Sequence, residues 1–376
     1  MRTRRMAIGL AALAAVAAGT CAVMSSPAPA AAGLVVHEWG TFSSFSGSDG
    51  ALLKFYPVNT DLPKFVHTSR HPFLKDELRG TVSLETPVLY FHTDRPLTAT
   101  VRAEFPSGVL TEWFPRADRP NTGKSLTWAN VRVRPGETAT LPTTPEPNHY
   151  YAAREVDAAP VEVVTKQDGK EVVERERLLF YRGVGDLTPP VTVTARGGGA
   201  FSIRSTGTEP IPGGVLMEAK AGAVRFRPLG AIAPKAAVEA ELPPAFGSAE
   251  SLRAELVRQL TAAGLYADEA RAMVKTWESV WFGDDGTRVL YVLPAGWTGK
   301  ALPLSITPAP DAVVRVMVGR HDLLTPERER DIDTIVGRLN GHDAADREAA
   351  AAALSKLGRF GPPARQQAEQ RLTKRR

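Results

Sequence analysis

Val82-Ser83-Leu84-Glu85-Thr86-Pro87-Val88-Leu89-Tyr90-Phe91-His92 concentrates β-branched and aromatic residues between turn-forming neighbours and reads as a strand. Working outward, similar short runs recur at Ala99 to Phe105, Val109 to Phe114, Trp128 to Arg134 and Val161 to Val164. They continue at Arg177 to Tyr181, Val191 to Ala195 and Phe201 to Ser205. Pro106-Ser107-Gly108 supplies a turn between two of them. Many short strands punctuated by Pro and Gly predict an antiparallel sandwich or barrel over residues 33–240.

The periodicity changes after Pro243-Pro244. Leu252, Leu256 and Leu260 recur at helical spacing, with Ser248 as the expected cap and Gly264 as the stop. Ala270, Met273, Val274, Trp277 and Trp281 then form one apolar helical face, and two tryptophans on such a stripe are core before they are a binding box. Arg288 to Leu293 and Ala312 to Val318 return to strand character, so residues 241–324 hold a helical pair and returning strands. Beyond that, Thr325-Pro326-Glu327 opens a helix with buried positions Ile332, Ile335, Val336 and Leu339. Gly341 ends it, Asp343 opens another, Gly358 ends that, and Pro362-Pro363 precedes a last short helix, giving a helical extension over 325–376 that must pack on the preceding body or on a partner. The expected class is α+β: a β-rich, sandwich-like body with a helical pair and a helical C-terminal extension.

At the other end, Arg2, Arg4 and Arg5 precede an apolar run from Met6 to Met24 and then Pro27-Ala28-Pro29-Ala30-Ala31-Ala32. Charge, apolar stretch and small-residue site in that order predict a cleaved signal peptide over residues 1–32 and an exported, periplasmic or extracellular protein. A membrane anchor is disfavoured by the mild, Ala-rich hydropathy, so no transmembrane span is expected after cleavage. Thr3-Arg4-Arg5 matches a twin-arginine signal in part, and Cys21 stands where a lipid-anchored protein carries its acylated cysteine, though Ala18-Gly19-Thr20 is a poor approach to such a site.

Cys21 is the single cysteine, so the chain beyond it has no thiolate zinc site, disulfide or cysteine nucleophile, and a metal there must be held by His, Asp or Glu. The formal charge of +5 is confined to the ends. Residues 33–370 carry 39 basic against 41 acidic side chains, which is no footprint for nucleic acid.

Val36-His37-Glu38-Trp39-Gly40-Thr41-Phe42-Ser43-Ser44 resembles the N-terminal signature of a family of exported bacterial proteins with no assigned activity. Glu85 to Phe91, Glu112 to Pro115, Phe180 to Gly185, Thr276-Trp277 with Trp281-Phe282, and Arg315 to Arg320 extend the resemblance over residues 34–325. It implies export and brings no substrate, cofactor or catalytic residue. Arg338 to Leu372, above all Asp346 to Ala350 with Leu357-Gly358, is similar to one HEAT-like helical repeat.

Familiar catalytic motifs fail on inspection. His37-Glu38 begins like a zinc-protease helix, but position 41 is Thr41 rather than a second histidine. Asn121 to Ser125 ends like a phosphate loop but has Asp118 where a glycine is required, and no Gly-x-Ser-x-Gly elbow occurs. His67 and His71 are four apart, yet Pro72, Lys64, Arg70 and Lys75 point to an exposed loop rather than a metal pair. What remains is a set of polar residues in or beside apolar runs: His37, Glu38, Glu85, His92, Glu112, Arg154 and Arg182. Such groups are solvent-facing or paired, and glutamate–arginine ion pairs account for the set most simply. Otherwise His37, Glu38, Glu85 and Glu112 are the catalytic candidates and His37 and His92 the metal candidates. The function expected is that of an envelope or extracellular binding or scaffold protein whose partner is another envelope protein or a polymer. The alternative is a secreted hydrolase of a glycan or peptide polymer, metal-dependent or not, with no cofactor identifiable.

Overall fold

Strand β1 (Val35–Ser46) is the stretch that carried the family resemblance, and in the structure it is the centre of the protein. The structure is a computed structural model that describes residues 33–57, 61–69 and 79–374. The predicted signal peptide, Cys21 and His71 lie outside the described residues.

Among those residues the main sheet has nine strands. Their order is β13 (Ala223–Leu229), β12 (Gly214–Lys220), β15 (Gly286–Val292), β17 (Ala312–Leu323), β1, β3 (Val82–His92), β9 (Leu179–Gly185), β5 (Gly108–Phe114) and the two-residue β2 (His67–Thr68). β1 runs parallel to β17 and antiparallel to β3. A five-stranded sheet contains β16 (Leu304–Thr307), β4 (Leu97–Glu104), β6 (Ser125–Val133), β7 (Val161–Gln167) and β8 (Lys170–Glu176), and a three-stranded one contains β10 (Val191–Gly197), β11 (Ala200–Ser205) and β14 (Ala237–Glu241).

Alternation along β1 sends its residues to two different environments. Val36 and Phe42 join Val101, Trp128, Val131 and Val163 of the five-stranded sheet, and Val193, Phe201 and Ile203 of the three-stranded sheet, in one sandwich core. Trp39 faces the other way, into a core capped by helices α1 (Glu250–Ala262) and α2 (Ala267–Trp281) and by the short turn His149–Arg154. α2 buries Met273, Trp277 and Trp281 on that face, each worth about 1.5–3 kcal/mol of transfer free energy. The layers are therefore sheet, sheet and helix. The class is mixed α+β with a β-rich body, as the strand and helix periodicities predict.

α3 (Ala295–Ala301) links β15 to β16, and three helices follow β17: α4 (Pro326–Leu339), α5 (Ala344–Ser355) and α6 (Gly361–Lys374). Ile332, Val336, Leu354, Ala364 and Ala368 pack on Phe45 at the end of β1 and on Phe55, so the C-terminal helices bury their apolar face against the body. Thr325 and Asp343 cap α4 and α5 as their sequence context predicts.

Several expectations are corrected. Ser248 does not cap α1, because Ala249 already has helical dihedrals and no side chain caps the first turn. Pro362 and Pro363 lie inside the first turn of α6 rather than before it, where a missing N–H costs nothing. The strand predicted from Arg177 to Tyr181 is displaced to Leu179–Gly185. His67 is not in an exposed loop: it pairs with Trp113 on the sheet edge and hydrogen-bonds Glu174 at 2.8 Å. β1, β8 and the β12–β13 hairpin were not anticipated as strands, and Ala221 and Gly222, both with positive φ, make the hairpin turn.

Candidate functional site

The site begins with an irregularity in β3. Trp39 pairs with Val88 but Thr41 pairs with Glu85, so β3 carries one extra residue opposite β1. Pro87 sits in this bulge, where a strand tolerates a residue with no N–H to donate, and Thr86 takes a φ of 51°. Gly40 faces the bulge across the ladder, and a Cβ there would lie 2.8 Å from the Pro87 Cα, which is why no larger residue fits. The bulge puts Leu84 into the sandwich core and aims Glu85 at the helical side.

On that side the end of the sheet becomes densely charged. Ser43 pairs with Arg320, and Asp322 pairs with both Phe45 and Arg288, so these groups share one face with Glu85. Phe45, Glu85, Arg288, Arg320 and Asp322 form the floor of a cleft of about 750 Å3. Trp277 and Val280 of α2 and His149 make one wall; Arg328 and Asp331 of α4 with Lys356, Arg359 and Phe360 from the α5–α6 connection make the other. The volume falls in the ~300–1,000 Å3 range of small-ligand pockets.

The floor is organised as interlocking ion pairs. Arg320 grips Asp322 through Nε at 2.6 Å and Nη2 at 3.2 Å, and Nη2 also reaches Asp284 at 3.1 Å. Arg288 Nε donates at 2.9 Å to Asp322 Oδ1, which also accepts from Arg320 Nη2. Arg182 clasps both oxygens of Asp61 at 2.6 and 3.0 Å. Arg359 pairs with Glu85, whose other oxygen accepts from Ser43 at 2.7 Å. Burial alone would raise these carboxyls, but the guanidiniums outweigh it: Asp322 is held down at about 2, Asp61 well below the ordinary range, and Glu85 below its usual value. Burial also lowers His149, partly offset by Asp61 at 3.8 Å, so its imidazole is neutral near pH 7. The lining holds eight carboxylates against seven guanidinium or ammonium groups, so the cleft is rich in donors and acceptors yet nearly balanced in charge.

A second cluster occupies the opposite end of the same face. His37 on β1 and His92 at the end of β3 converge on Glu269, in the first turn of α2. His37 Nδ1 lies 2.7 Å from Glu269 Oε2, and His92 Nε2 lies 3.0 Å from Oε1. The Tyr266 backbone N–H also donates to Oε2 at 2.8 Å, closing the helix capping box. Burial would raise the Glu269 carboxyl, but the two imidazoles and that N–H hold it below its usual value.

The sequence candidates thus separate. His37 and His92 come together, joined by Glu269. Glu38, adjacent to His37 in a strand, faces the sandwich core instead, where it accepts from Arg315 Nε at 2.5 Å and from the Tyr181 hydroxyl. Glu85 lines the cleft. Glu112 is buried opposite Arg182, accepts from the Thr111 hydroxyl at 2.5 Å, and does not line the cleft. Glu85 and Glu112 are therefore not a carboxylate pair facing each other across an open groove. Arg154 clasps Glu176 through contacts of 2.5 to 3.1 Å, a structural ion pair. Sequence reasoning missed Asp61, His149, Glu269, Arg288, Arg320, Asp322 and Arg359. For Arg320 and Asp322 the signal was present, since Arg320-His321-Asp322 interrupts an apolar strand just as Arg182 does. For Glu269 the capping-box spacing was the signal; Asp61 and Arg359 had none.

No family model matches the chain, and no curated protein matches it. Among solved structures it is similar to the Fcho1 Mu homology domain of Danio rerio with bound Eps15 peptide, at 9% identity and a TM-score of 0.33, over 77% of this chain and 96% of that one. It is also similar to the yeast delta-COP-I mu-homology domain, at 6% identity and a TM-score of 0.30, over 79% and 100%. The same yeast domain complexed with a Dsl1 WxWxV peptide gives 7% identity and a TM-score of 0.30. Overlaps this low carry no inference about ligand or activity.

Proposed function

We propose that this is an exported binding protein of the cell envelope or its surroundings, whose cleft holds a neutral, polyhydroxylated segment of a polymer, a glycan chain. The observation that carries the reading is the charge-compensated lining. Every buried arginine on the floor is already engaged by a carboxylate, so none stands ready to neutralise a phosphate or sulfate. Hydroxyl groups both donate and accept, which suits a surface of mixed carboxylate, guanidinium and imidazole groups, and the half-buried Phe360 offers aromatic surface for a sugar ring. Binding is the leading reading because glycoside cleavage needs a carboxylic acid whose pKa is raised, and the arginine-locked floor carboxylates Asp61, Glu85 and Asp322 are held down and cannot fill that role. No helix among the described residues is long and apolar enough to cross a membrane.

The test is calorimetric titration of the purified chain with neutral oligosaccharides, their phosphorylated or sulfated counterparts, and peptides, with tryptophan fluorescence followed in parallel. A neutral oligosaccharide is expected to bind, with a heat of binding and a change in the total tryptophan emission, to which Trp277 in the cleft wall contributes. Asp284→Ala, at a position 53% exposed on the cleft rim, is expected to weaken binding by about tenfold, the ~1.4 kcal/mol of one polar contact. Preference for the anionic ligands, or silence toward all neutral glycans, would refute the reading. Sequencing the N-terminus of protein recovered from the medium or periplasm checks export: a start near residue 33 is expected.

A further inference from the structure

We propose that His37, His92 and Glu269 form a binding site for a single divalent transition-metal ion of the zinc class, fastening α2 to the central sheet. One nitrogen from each histidine and one carboxylate oxygen lie within 4.8 Å of one another. This is the one group of three such side chains with ligand atoms so close among the described residues.

The first support is how Glu269 is accompanied. Glu38, Glu85, Glu176 and Asp322 are buried carboxylates, and each is joined to an arginine. Glu269 is 0% exposed, and its contacts are two imidazoles and a backbone N–H. A buried carboxylate without a fixed cation is costly, and a bound metal ion supplies the missing positive charge.

The second support is geometric. The ladder sets His37 opposite Tyr90 and His92 opposite Val35, so the two histidines are diagonal neighbours on one face, which places their rings 5.0 Å apart. Ligands 2.0–2.1 Å from a tetrahedral zinc ion stand about 3.3 Å from each other. The present nitrogen-to-oxygen spacings, 2.7 Å from His37 to Oε2 and 3.0 Å from His92 to Oε1, bracket the carboxylate from two sides, and side-chain adjustment within the 4.8 Å cluster brings the three ligand atoms to that spacing. On binding, the ion replaces the N–H contacts to the carboxylate, and each imidazole keeps its proton on the other ring nitrogen.

Two further features suit a metal. The Tyr266 N–H fixes Glu269 Oε2 from outside the cluster, the kind of supporting contact that orients metal ligands. His92 is 15% exposed and Tyr266, whose ring lies over both histidines, is 47% exposed, which leaves a route for a water as fourth ligand. Two histidines, one glutamate and a water form a ligand set well suited to zinc, and without cysteine at the site a soft ion such as Cu(I) is disfavoured. This inference is independent of what fills the cleft. The two sites share strands β1 and β3 and helix α2, whose later turns carry Trp277 and Val280 into the cleft wall.

The full chain, stripped with a chelator and dialysed, is titrated with Zn2+ against a chromophoric competitor and with Co2+ by visible absorption. One ion per chain is expected, with Co2+ giving the ligand-field bands of a four- or five-coordinate site and Zn2+ raising the melting temperature. Glu269→Gln keeps a capping-box acceptor and His92→Ala alters a partly exposed ring, so both are expected to fold. Each should weaken binding by at least about 100-fold, beyond what loss of a merely supporting contact costs. His67→Ala, at the separate Glu174 pair, should bind as the parent does. Absence of stoichiometric binding by the parent chain, or unchanged binding by both Glu269→Gln and His92→Ala, overturns the proposal.

Discussion

The two ends of one sheet face hold their buried carboxylates in opposite ways. At the cleft, Glu85 and Asp322 are locked to arginines, as is the half-buried Asp61, whereas at the other end Glu269 is held by His37 and His92. A guanidinium is always charged and binds a carboxylate through a rigid fork, so these three carboxylates are committed as anions and have no proton to give. An imidazole can be neutral, and its nitrogen is a metal ligand. Similar carboxylates under similar burial thus have different chemistry open to them, and the partner decides which.

Breaking the cleft network should have the largest effect. Arg320→Ala leaves Asp322 buried with only Arg288 and strips Asp284 of its partner. A loss of about 3–5 kcal/mol in urea unfolding is expected. A loss below ~1 kcal/mol would mean the floor is not held by these pairs, and the contrast between the two ends would collapse.

An imidazole without a carboxylate ligand sharpens the comparison. His321, on the opposite face from Arg320, lies between Ser44 at 2.8 Å and Ser46 at 2.9 Å, and burial lowers it from 6.5 to about 4, partly offset by Asp322. The unfolded chain takes up a proton below 6.5 while the folded chain does not until about 4, so stability is full above 6.5 and falls as the pH drops through that window. The expected decline is about 3 kcal/mol. It should be reduced in His321→Asn, measured by denaturant unfolding at a series of pH values; an equal slope in both proteins would remove His321 as its source. Loss of the Asp322 anion belongs to a lower window, from the ordinary aspartate range near 4 down to about 2.

The smallest effect is reserved for a pair that lies between the two ends. Lys275 on α2 reaches Glu155 at 2.7 Å, but both side chains are exposed. Lys275→Ala should cost less than ~1 kcal/mol and leave both metal and oligosaccharide titrations unchanged. A larger cost would show that α2 is held in place from outside rather than through its buried face.

Much of the architecture was legible as pattern. β3 matches its predicted limits from Val82 to His92, and the apolar stripe of α2, including both tryptophans, is buried as its spacing requires. Thr325 and Asp343 act as caps because that chemistry is local to a few residues. β1 escaped because both its faces are covered, so polar His37, Glu38, Thr41, Ser43 and Ser44 are buried in a strand that does not alternate simply between apolar and polar.

The amino-acid sequence alone determined most of the strands and helices, such as β3 and α2, and marked several charged residues in apolar surroundings, because both follow from neighbours along the chain. Only the tertiary structure decided what those charges meet. Glu85 meets Arg359 across 274 residues, Glu38 meets Arg315 across 277, and His37 meets Glu269 across 232. Those meetings depend on strand order, on register and on one extra residue at Thr86-Pro87. A slip of a single position in a strand turns each side chain to the other face, and no local property of the chain records which position is taken.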